Sequence, residues 1–83
     1  MKQYAMIKKT MKLIITFPTT TRAMAMEKAC REAGAPGRLI PVPREITAGC
    51  GLAWCAPTDS REALVHLMEE RNIAFEQLYE MMV

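Results

Sequence analysis

Three cysteines and a single histidine are the side chains whose chemistry could go beyond packing, and their surroundings in the chain differ. Cys50 lies between Gly49 and Gly51, at the end of a stretch with the composition of a loop. Glycines on both sides allow a tight turn and leave the sulfur without bulky sequence neighbours. Arg44, Thr47 and the free backbone N–H groups of the same stretch, those of Gly49 and Gly51 included, are suited to stabilising a thiolate, the form in which cysteine attacks. Cys50 is therefore the candidate nucleophilic thiol, with Arg44, Thr47, Gly49 and Gly51 as candidate binding residues. The competing reading makes Cys50 a small, half-buried residue at the start of a strand.

The other candidates carry less. Cys30 falls on the apolar stripe of a helix and reads as core filler. Five extended residues separate Cys50 from Cys55, roughly 16 Å, whereas a disulfide needs Cα atoms about 4.4–6.8 Å apart. No intramolecular pair is expected, and the odd count fits reduced thiols in a cytoplasmic protein. Zinc would need all three cysteines plus His66, and no Cys-x-x-Cys spacing is present, so no metal site is expected. His66 sits off its helix's apolar stripe and reads as a solvated residue. The eight methionines form no Met-x-x-Met cluster and read as core packing. With no acid–base pair, no phosphate loop and no histidine close to Cys50 in sequence, an independent enzyme ranks last among the functional classes.

The elements that must position these residues belong to one small domain. Area scaling for 83 residues gives roughly 5,000 Å² of folded surface and about 63% burial, enough for one modest core. Hydrophobic residues at 51% and charged residues at 24% are the balance of a globular chain. A net charge of +2 is too mild to announce a nucleic-acid binder. An RNA-binding sheet would also need more aromatics than Trp54 and Tyr79 supply. The charge is uneven. Lys2, Lys8, Lys9 and Lys12 open the chain without an acid, while Arg61 and Arg71 are outnumbered by Asp59, Glu62, Glu69, Glu70, Glu76 and Glu80. No apolar run approaches the ~20 residues of a membrane span. Leu13-Ile14-Ile15 after the lysines imitates a signal peptide but is too short for one.

Residues 1–11 read as a basic extension and residues 12–83 as the domain. Alternation and β-branching predict a strand over Lys12–Phe17, stopped by Pro18. Thr19, Thr20 and Thr21 can cap a helix from about 20 to 33, with Ala23, Met26, Cys30 and Ala33 as its buried stripe, a Glu27–Arg31 pair and Gly34 as its stop. Arg38–Val42 is a second strand, put at a sheet edge by Pro41, and Pro43–Gly49 a loop. Leu52–Cys55 is a third strand closed by Pro57. Thr58 or Asp59 then caps a helix with Glu62 in a capping box and Ala63, Leu64, Leu67 and Met68 as its stripe, ending near Asn72. Ile73–Met81 supplies the last strand. The order predicts an α+β, ferredoxin-like βαββαβ sandwich, a four-stranded antiparallel sheet with two helices on one face. Such a fold hosts many functions and selects none.

The chain also resembles a small bacterial family known as putative Se/S carrier protein-like. The resemblance runs from about Leu13 to Tyr79. It is carried by Thr16-Phe17-Pro18, by Glu27, and above all by the run from Gly37 to Ile46 (Gly-Arg-Leu-Ile-Pro-Val-Pro-Arg-Glu-Ile) followed after three residues by Cys50-Gly51. It implies a sulfur or selenium atom held on Cys50 as a persulfide or selenopersulfide, with no separate cofactor. The partners would be a donor such as a cysteine desulfurase and an acceptor enzyme, and Arg44 would hold the anionic sulfur or dock the donor. The alternative is an interaction or small-ligand module with a structural Cys50, dimerising through apolar sheet area around Ile14 and Trp54. Neither reading calls for nucleic acid or a membrane.

Overall fold

The computed structural model describes residues 10–46 and 50–83. The expected basic extension, up to Lys9, lies outside the described residues, as do Thr47 and Gly49. Six elements follow one another: β1 (Met11–Thr16), α1 (Thr20–Ala33), β2 (Arg38–Pro41), β3 (Leu52–Pro57), α2 (Arg61–Arg71) and β4 (Gln77–Met82). A single 3₁₀ turn over Thr58–Ser60 leads into α2. The sheet is antiparallel with order β2-β3-β1-β4, so the α1 crossover skips the place that β3 later fills and the α2 crossover passes over β1. This is the ferredoxin-like sandwich that the element order predicts.

β1 is central and buried on both sides, which is why Leu13, Ile14, Ile15 and Thr16 form a continuous buried run. Period-two alternation then sorts the sheet. Leu13 and Ile15 of β1 face the helices, together with Leu39, Leu52, Trp54, Ala56 and Leu78. Against them pack Ala23, Met26, Ala29 and Cys30 of α1 and Leu64, Leu67 and Met68 of α2. Ile14, Ile40, Ala53, Cys55, Tyr79 and Met81 cluster on the opposite face, where Ile46 from the β2–β3 loop joins them. Thr16 spends its buried hydroxyl on β4, accepting the Gln77 N–H at 3.1 Å.

Local signals explain the helix ends. Thr19 caps α1, its hydroxyl accepting the Arg22 N–H at 3.2 Å, and Gly34 ends it in the left-handed conformation. Asn72 ends α2 at φ 56. Elsewhere the structure corrects the expectations. Neither Thr58 nor Asp59 caps α2: Ser60 holds the N-cap without a side-chain cap bond, and its hydroxyl donates to the Pro57 carbonyl because the 3₁₀ turn intervenes. Glu27 and Arg31 are in none of the ion pairs among the described residues, where Glu32 instead reaches across to Arg71 at 2.9 Å and ties the two helices. Ala63 is exposed, one step off the α2 stripe. β3 runs on to Pro57, and the last strand starts only at Gln77. Among the described residues, Met26 and Met68 are buried in the core and Met81 is partly buried on the opposite face, while Met11, Met24 and Met82 are exposed. Trp54 is buried beneath the helices and its indole N–H donates to the Pro36 carbonyl at 3.1 Å, so it adds nothing to the opposite face.

Candidate functional site

The loop between β2 and β3 leaves and rejoins the sheet at one neck. The Val42 N–H donates to the Gly51 carbonyl at 3.0 Å, which extends the β2–β3 ladder by one bond beyond the strands. Inside the neck, the Ile46 N–H donates to the Pro43 carbonyl at 2.9 Å and closes a tight turn that carries Arg44 and Glu45 into solvent. Ile46 is turned back under the sheet, 8% exposed, against Ile14 and Ala53. Cys50, on the returning limb, packs instead against the helix-side cluster. The loop is thus pinned on both faces of the sheet, with its charged turn outside.

Cys50 is half-buried, and its sulfur is held by the backbone of Leu52. The Leu52 N–H donates to Sγ at 3.4 Å, and the thiol in turn lies 3.4 Å from the Leu52 carbonyl as a donor. A hydrogen bond from an N–H to sulfur strengthens when the sulfur carries charge, whereas the bond to the carbonyl exists only in the thiol form. Gly51 makes this hairpin of backbone around the sulfur feasible: it takes φ +79, and the space where a Cβ would stand is open. Since Thr16 pairs with Ala53, this end of the sheet is also where β1 ends and α1 begins, and the first turn of α1 holds no acidic residue.

The three thiols are sorted by tertiary position. Cys30 is buried in α1 and desolvation pushes its pKa from 9.0 up to about 11, so it stays a neutral thiol. Cys55 lies inside β3 on the face away from the helices, opposite Ile14 and Arg38. All three are free, and strand parity sends Cys50 and Cys55 to opposite faces, in agreement with the distance argument against a disulfide. Of the sequence-derived site residues, Cys50 and Gly51 come together at the neck, and Arg44 stands on the outgoing limb with no hydrogen bond to Cys50 among the described residues. Leu52 is the participant that sequence reasoning missed, because its contribution is a backbone group. His66 is solvated on α2 and 3.4 Å from Glu70, as its place off the stripe implied. Among the described residues, no group of three or more His, Cys, Asp or Glu side chains is arranged to hold a metal ion. No helix there is long and apolar enough to cross a membrane.

A ferredoxin-like sandwich with a glycine-flanked thiol at a loop neck defines a small α+β domain with one distinctive cysteine. Residues 12–80 match the family described as "Putative Se/S carrier protein-like", and the chain belongs to that family. No curated protein and no solved structure matched it.

Proposed function

We propose that the protein carries a sulfur or selenium atom on Cys50, as a persulfide or selenopersulfide, between a donor and an acceptor enzyme. The observation that supports this most is the placement of the Cys50 sulfur at the neck of a loop whose turn exposes Arg44 and Glu45, with that sulfur fixed by the Leu52 N–H and inside the matched family region. In the loading step the Cys50 thiolate attacks the terminal sulfur of a donor persulfide. A new S–S bond forms to Cys50 as the donor's S–S bond breaks, and the donor sulfur leaves with the electron pair as a thiolate. The exchange is redox-neutral and needs no cofactor. Arg44, exposed on the same loop, is suited to receive the donor's anionic surface, and the acidic α2 and β4 region can select partners by charge. A cysteine desulfurase supplies a donor of the right chemistry.

Incubation with a cysteine desulfurase and cysteine, followed by intact-mass measurement without reductant, tests the reading. Wild type and Cys55→Ser are expected to gain one sulfur atom that dithiothreitol removes, and Cys50→Ser to gain none. Loading of Cys50→Ser at wild-type stoichiometry would end it. A second reading, a structural Cys50 in a binding module, is favoured by the half-burial of the side chain and its two-way pairing with Leu52. In that case native Cys50 alkylates slowly, takes no adduct, and Cys50→Ala lowers stability instead.

A further inference from the structure

The helix-free face of the sheet carries a groove of about 510 Å³ at the end remote from Cys50. Its walls come from three strands. Lys12 of β1 stands opposite Pro57 and Arg38 of β2 opposite Cys55, so the two cations straddle β3 on the same face. Two strand spacings across and two residues along put their Cα atoms about 12 Å apart, within reach of one small molecule for two long side chains. Cys55 and Pro57 of β3 lie between them, Ile40 and Val83 flank the groove on the outer strands, and Gly37 closes the β2 side without a side chain. The three ion pairs among the described residues are Arg61–Glu80, His66–Glu70 and Arg71–Glu32, and none uses Lys12 or Arg38. The stretches outside the described residues contain no Asp or Glu that could supply a side-chain partner.

We infer that this groove binds a small organic anion with two negative charges, of the phosphate-monoester class. Two cations in no ion pair among the described residues, set on either side of Cys55 and Pro57 of β3, favour a ligand with a dianionic head and a short apolar body. Arg38 offers a planar fork and Lys12 a point charge, the two complementary ways of holding a phosphate. The volume lies within the usual range for small-molecule sites and far exceeds what an inorganic ion fills. The site is independent of the carrier reading, since Cys50 packs on the other side of the sheet.

An amide NMR titration of the full chain with glycerol 3-phosphate, succinate, inorganic phosphate and sodium chloride at matched ionic strength tests it. Glycerol 3-phosphate is expected to give saturable shifts at Gly37, Arg38, Ile40, Cys55 and Ala56, leaving Cys50 and Leu52 unmoved. Lys12→Gln and Arg38→Gln are each expected to weaken binding about tenfold, as loss of one charge-assisted hydrogen bond implies, while Cys50→Ser binds as wild type. The same spectra report whether each variant is folded. Parallel saturation by succinate would support the site and widen the ligand class to dicarboxylates. Shifts that sodium chloride reproduces, equal affinity for inorganic phosphate, or binding unchanged in both charge variants would overturn the proposal.

Discussion

β3 has a cysteine two residues before its start and another inside its far half, and the two surroundings are built on different physics. At the first, Cys50, the sulfur is held by neutral backbone groups of Leu52 in a tight hairpin, with the loop's one cation, Arg44, pointing out to solvent. At the second, Cys55, the side chain lies on the helix-free face of β3 in a groove that Lys12 and Arg38 also line, with no hydrogen bond to its sulfur among the described residues. The first arrangement fixes an atom in space, as a group-transfer step requires. The second sets two charges on either side of a strand, the arrangement on which the proposed anion binding rests. A cysteine's neighbours in sequence do not separate these cases; the atoms around its sulfur do.

Two glycines give the sharpest way to break this comparison. A Cβ on Gly37 would collide with Trp54 Nε1 and stand 2.8 Å from the Cys55 carbonyl oxygen, at φ +121. Gly37→Ala is therefore expected to destabilise the fold by about 3 kcal/mol or more, through overpacking and backbone strain together. Urea unfolding measures it, and binding at the Cys55 groove is expected to fall while loading of the folded fraction at Cys50 persists. Equal damage to both would mean that the two ends are coupled. Gly51 also has positive φ but nothing within 4 Å of its virtual Cβ, so Gly51→Ala meets only the left-handed penalty, about 1–2 kcal/mol. Its effect is expected at the neck: faster alkylation of Cys50, with no change at Cys55.

The third thiol calibrates both. Burial lifts the pKa of Cys30 to about 11, so the folded state holds its proton where the unfolded chain, at 9.0, has released it. The stability this contributes is intact below pH 9 and is lost as pH rises through about 11. After allowance for screening the loss is about 1 kcal/mol. Denaturation across that window should show it in wild type relative to Cys30→Ala, and a parallel pH profile for the two would contradict the assignment. At pH 8, alkylation of Cys30 should also lag far behind Cys50 and Cys55.

Much of the fold was legible because its signals are local. The α1 bounds, from a threonine cap to Gly34, depend on groups within four residues, and the predicted range coincides with the observed Thr20–Ala33. Pro41 told of an edge strand because a missing N–H is a property of one residue, and β2 does lie at an edge. The α2 start was misread for the same reason in reverse: Thr58, Asp59 and Glu62 have capping chemistry, but a 3₁₀ turn moved the cap to Ser60. Trp54 was set on the wrong face because alternation says that neighbours in a strand point opposite ways without saying which way is in.

By itself, then, the sequence determined the element order, both ends of α1 and the stop of α2 at Asn72, the edge strand, the buried place of Cys30 and the loop that bears Cys50-Gly51. Each of these follows from side-chain period, a missing donor or a backbone freedom that acts within a few residues. Tertiary structure alone decided what surrounds each sulfur. Ile46 folded under the sheet and Lys12 and Arg38 brought to either side of β3 depend on strand register, which pairs residues far apart in the chain, while the Leu52 amide turned onto Cys50 depends on the backbone Gly51 adopts where the loop rejoins that sheet. Register comes from burying both faces of β1 at once, a collective condition that no single stretch of the chain contains.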